Sequence, residues 1–102
     1  MSAIKINRNN LNSLKNGDKP LLLDFYAEWC GPCRAVLPIV ENIASERPDL
    51  AIGKVNVEEQ KELASEFGIM SIPTLVVIKN GREVRRATGA RPKEQILAML
   101  ES

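Results

Sequence analysis

The stretch "PLLLDFYA", Pro20–Ala27, is almost unbroken in apolar side chains. Successive side chains of a strand point to opposite faces, so such a run has to be covered on both sides. It reads as a central strand, with Pro20 at its entrance. This requirement constrains the chain more than any other feature. Helices must pack above and below a sheet, within a chain of 102 residues that suits one domain, residues 1–102, with one core.

The rest of the chain supplies those layers. "AIKI" is a short strand, and Leu11 and Leu14 mark a helix that stops at Gly17. Past Cys33 the period changes. Val36, Leu37, Val40, Ile43 and Ala44 recur at steps of three and four, one face of a helix that ends near Pro48. Pro38 lies inside it and is expected to kink it. "LAIGKVNV" is the next strand. "EEQKELASEFG" is a short helix with Leu63, Ala64 and Phe67 inward and Gly68 closing it. "TLVVIK" and "REVRRAT" are strands joined by Asn80-Gly81, a hairpin signal. The final helix, "RPKEQILAMLES", has Pro92 in its first turn and Ile96, Leu97 and Leu100 inward.

The order β-α-β-α-β-α-β-β-α predicts the α/β class: a three-layer α/β/α sandwich, with a mixed central sheet and helices on both faces. Early strands separated by helices are expected to be parallel, and the terminal hairpin antiparallel. The formal charge of +1 gives no reason to expect a nucleic acid or an anionic membrane as partner. No apolar run approaches the roughly 20 residues of a membrane span. "MSAIKINRNN" lacks the apolar core of a signal peptide, so a cytoplasmic location is expected.

Both cysteines lie in "AEWCGPC", after the central strand. A bridge between them closes a tiny loop and restricts the unfolded chain only slightly, so stabilisation is a poor reason for it. A structural zinc site wants four ligands, and the chain has no His and no second cysteine pair. An inert pair of core thiols is the bland alternative. The position at a strand-to-helix junction favours chemistry instead. Cys30 falls at or beside the helix N-cap, where unpaired N–H groups and the helix dipole favour a thiolate and a depressed pKa. Pro32 suits the first turn and leaves the Cys33 N–H as a donor to the Cys30 sulfur. Cys33, one turn deeper on the same face, is shielded. An exposed nucleophile and a shielded resolving thiol are the parts needed for thiol–disulfide exchange.

"DFYAEWCGPCR" resembles the active-site segment of the thioredoxin family nearly residue for residue, and "GIMSIPTLVVIKNGREV" and "TGARPKEQI" are similar to two further family segments. The resemblance runs from about Leu21 to Leu100. It implies the thioredoxin-like fold and a protein-disulfide reductase that binds no cofactor, receives electrons from NADPH through thioredoxin reductase, acts on disulfide-containing client proteins and works as a monomer. It also implies a cis bond between Ile72 and Pro73. The Ile72 backbone would then face an extended client segment, with Trp29, Gly31, Pro32, Pro73, Gly89 and Ala90 lining the groove. Tyr26 stands where the family most often has Trp, and Met70 and Ser71 stand where a basic residue and Gly are common. A redox-silent binding subunit and an oxidase or isomerase are the competing readings.

Asp24 interrupts the buried strand. A carboxylate there is costly unless paired or protonated. It points to the same strand face as Leu22 and Tyr26, six residues before Cys30. It is therefore expected beneath the cysteines, as acceptor of the Cys33 proton, with burial raising its pKa. Lys54, which interrupts "IGKVNV", is its candidate partner. The alternative for Lys54 is a snorkelling surface lysine.

Overall fold

The computed structural model describes residues 2–101. In chain order its elements are β1 (Ile4–Lys5), α1 (Arg8–Lys15), β2 (Leu21–Tyr26), α2 (Gly31–Glu46), β3 (Ala51–Asn56), α3 (Lys61–Glu66), β4 (Thr74–Lys79), β5 (Arg82–Thr88) and α4 (Lys93–Glu101). The strands form one sheet in the order β1-β3-β2-β4-β5. All six residues of β2 are buried, as an apolar run at the centre of a sandwich must be.

Strands β1, β3 and β2 are parallel. Strand β4 follows a helix and yet runs antiparallel to β2, with Leu22 opposite Val77 and Asp24 opposite Leu75. Helix α3 therefore does not act as a parallel crossover here. Strand β5 returns antiparallel along β4 through Asn80 and Gly81, whose φ values of 54° and 77° are those of a tight hairpin turn. All but one residue of β5 are exposed.

Alternation along β2 divides the core. Leu22 packs with Val36, Val40 and Ile43 of α2 and Ile96 and Leu100 of α4. Leu21, Leu23 and Phe25 pack on the other face with Leu11 of α1 and Leu63 of α3. Each such large apolar side chain, fully buried, contributes about 1.5–3 kcal/mol relative to exposure. Gly53 of β3 admits a close approach: a Cβ there would lie 2.6 Å from Ile6 Cγ1.

Local rules set the ends of the helices. Asn7 caps α1 reciprocally with Asn10: each side chain accepts from the other's backbone N–H, at 2.9 and 2.8 Å. Helix α2 runs unbroken through the exposed Pro38. Pro92 precedes α4 rather than entering its first turn; its carbonyl accepts from the Gln95 and Ile96 N–H groups. Among the described residues no helix is long and apolar enough to cross a membrane.

Candidate active site

Strand β2 ends at Tyr26 and helix α2 begins at Gly31, so the four residues between them carry Trp29 and Cys30 to the carboxyl end of the sheet. Cys30 is the N-cap of α2, in an extended conformation. Its sulfur accepts a hydrogen bond from the Cys33 N–H at 3.3 Å, satisfying one of the orphan donors of the first turn. Cys30 and Cys33 are joined as a disulfide, with their Cα atoms 5.2 Å apart. Exposure separates the residues of the motif: Trp29 is 66% exposed, Cys30 6% and Cys33 0%. Cys30 is thus less open than the sequence suggests. Tyr26 and Ala27 pack beside it, and Leu37, Val57 and Ile72 close around the cluster.

The far segment of the chain reaches the same place. The Ile72–Pro73 bond is cis. The Ile72 carbonyl oxygen lies 3.9 Å from the Cys30 sulfur. The Pro73 carbonyl accepts from the Gly89 N–H at 2.8 Å, which ties the proline loop to the end of β5. Gly89 has φ 95°, a conformation that disfavours any side chain. Trp29, Val57, Ala64, Ile69, Met70 and Ile72 line an open cleft of about 220 Å³. Gly31 and Pro32 are exposed on the first turn of α2, and a Cβ at Gly31 would meet nothing within 4 Å. Ala90 follows Gly89 on the exposed surface.

Asp24 is fully buried on the face of β2 that packs against α2. Neither of its oxygens has a hydrogen-bond partner among the described residues. Burial pushes its carboxyl up to about 7, against the attraction of Lys54, which acts the other way. Lys54 is the register neighbour of Asp24 on β3. Its ammonium does not bond to Asp24. It donates to Glu41 Oε2 of α2 at 3.0 Å, and this bond, first among the causes, raises the Lys54 pKa. The other Glu41 oxygen accepts from the Ala3 N–H at 2.6 Å. These two bonds, that of Ala3 foremost, hold the Glu41 carboxyl below its ordinary range.

Sequence reasoning paired Lys54 with Asp24 and missed Glu41. On the helix it reads as an ordinary solvated residue, and its partners lie 38 and 13 residues away. The one available signal was a second carboxylate on the helix that covers the Asp24 face.

A family model described as Thioredoxin matches residues 2–102. The chain belongs to the thioredoxin family. It is 49% identical over 92 residues to the thioredoxin of Alicyclobacillus acidocaldarius subsp. acidocaldarius, covering 89% of this chain and 88% of that one. A bifunctional thioredoxin reductase/thioredoxin of Mycobacterium leprae (strain TN) is 45% identical over 83 residues, covering 80% of this chain and 18% of that one. Among solved structures, a mutant thioredoxin from Halobacterium salinarum NRC-1 superposes with a TM-score of 0.91 at 33% identity, over 98% of this chain and 88% of that one. The α/β fold is accordingly the thioredoxin fold. As a thioredoxin-family member with this cysteine pair, the protein is a thiol–disulfide oxidoreductase that reduces protein disulfides by dithiol–disulfide exchange.

Proposed function

We propose that Cys30 is the attacking thiolate, Cys33 the resolving thiol and Asp24 the acceptor of the Cys33 proton. The observation that carries this reading is the asymmetry at the head of α2. Cys30 retains a sliver of exposure and accepts the Cys33 N–H, whereas Cys33 is wholly enclosed. In the reduced protein the same N–H and the helix dipole favour negative charge on the Cys30 sulfur.

The exchange then runs in two displacements. The Cys30 thiolate attacks one sulfur of a client disulfide, forms a mixed disulfide and expels the first client thiolate. Cys33 gives its proton to Asp24, attacks the Cys30 sulfur, closes Cys30–Cys33 and expels the second client thiolate. The client gains two electrons and the protein is left oxidised, the state of the disulfide described above. An acceptor with a pKa near 7 is matched to a proton that must be both taken and released near neutral pH.

The client lies across Trp29, Gly31, Pro32, Ile72, Pro73, Gly89 and Ala90 as an extended segment. Lys54 takes part by tuning Asp24. Electrons return from NADPH through a separate thioredoxin reductase; the relative that combines both names in one chain supports that pairing. The protein acts as a single-domain cytoplasmic monomer.

In the test, Cys33→Ser is incubated with a disulfide client and analysed on a non-reducing gel. A mixed disulfide through Cys30 is expected, and Cys30→Ser is expected to form none and to lose turnover. Retained turnover in Cys30→Ser refutes the assignment of the attacking thiol.

A further inference from the structure

A buried carboxylate and a lysine from the adjacent strand, in register and on one face, would ordinarily pair. Here they do not. Both Asp24 oxygens lack a partner among the described residues, while the Lys54 ammonium sits 3.0 Å from Glu41 Oε2. Two carboxylates compete for one ammonium, and the one on α2 holds it. The geometry points to Glu41 as a positioning residue: it keeps Lys54 off Asp24, so that Asp24 stays available to bind and release a proton instead of being locked into an ion pair.

The orientation of Glu41 is itself fixed. Its Oε1 accepts from the Ala3 backbone, so Oε2 is the oxygen left for Lys54. Replacing Glu41 by Gln preserves shape and acceptor for Ala3. The amide nitrogen would then face the ammonium, donor against donor. The ammonium has to leave, and the unpartnered anion on the adjacent strand is Asp24.

The other groups around this space are accounted for. Tyr26 shares the strand face of Asp24. From α2 come Glu41 and the disulfide-bonded Cys33, which does not titrate. Lys5 of β1, in register with Lys54, is ion-paired with Glu59 at 3.2 Å. The β4 residue opposite Asp24 is Leu75, and α4 contributes Ile96 and Leu100. Among the described residues, Lys54 is the cation within reach.

The inference rests on the proposed role of Asp24 only for its catalytic meaning, and the test separates the two. The Asp24 carboxyl is titrated by carbon-13 NMR in the full-length oxidised protein, in Glu41→Gln, in Lys54→Met and in the double variant. Glu41→Gln is expected to lower the Asp24 midpoint by roughly one pH unit or more, the effect of an opposite charge brought close to a carboxylate. In the Lys54→Met background the same substitution is expected to do nothing. An unchanged or raised midpoint overturns the inference. So does an equal fall in both backgrounds, which would mean that Glu41 acts by direct repulsion. The pH profile of mixed-disulfide resolution is recorded alongside. If the NMR midpoint moves as expected and the profile does not, the hold of Glu41 on Lys54 stands and the proton role of Asp24 falls.

Discussion

Replacing Asp24 by Asn is expected to stabilise the oxidised protein in a pH-dependent way. In the native protein the carboxyl titrates at about 7; an ordinary Asp titrates at 3.8. Between these values the native chain holds a proton that the unfolded chain has already released. The unfolded state therefore binds fewer protons, and stability falls as pH rises through this window. The interval is about three pH units, at about 1.4 kcal/mol each, which gives a native-state cost of roughly 4 kcal/mol once pH exceeds 7. Below the unfolded value both residues are neutral, buried and without a protein partner, so the two proteins should be nearly equal in stability. The assay is urea unfolding of wild type and Asp24→Asn, both oxidised, from about pH 3.5 to about pH 9. The stability difference should be near zero at the acid end, grow across the window and level off above about pH 8. A difference that is flat with pH, or that shrinks as pH rises, refutes the argument that burial sets the carboxyl's affinity for its proton.

Two further expectations concern the fold. Gly53→Ala would place a Cβ against Ile6 and Leu23 and should cost about 1–3 kcal/mol, read by thermal or chemical unfolding. Asn7→Ala removes one half of the reciprocal cap and should cost about 1 kcal/mol in the same assay, with activity unchanged.

What could be read in the sequence follows the range of the interactions. Asn80-Gly81 declares its hairpin because the turn's conformation is a property of those two residues. Asp24 stands out because an acid in an apolar run violates a rule that depends only on neighbours. The sense of β4 is different. Helices between strands usually bring parallel crossovers, and nothing local in "GIMSIP" tells that this strand enters the sheet reversed beside β2. The cis bond before Pro73 became an expectation only through family resemblance, since most X-Pro bonds are trans. Lys54 acts on Asp24 through its charge, as a candidate partner should, but its hydrogen bond goes to Glu41. Its strand neighbour is visible from the pattern, but the competitor on α2 depends on how the helix lies across the sheet. The shielding of Cys30 likewise comes from Ile72 and Val57, far along the chain.

The exposed strand β5 has a consequence for behaviour in concentrated solution. The outer edge of a sheet offers unpaired backbone groups to any other chain that can extend it. Here that edge carries Arg82, Glu83, Arg85 and Arg86, charged positions on both faces of a seven-residue strand. At the opposite edge β1 is two residues long, too short to template a partner. One edge is guarded by charge and the other by brevity. A protein that reduces the disulfides of other chains is thereby hindered from pairing its own backbone with another copy. Neutralising the three arginines of β5 would leave the redox chemistry in place and create an aggregation-prone protein.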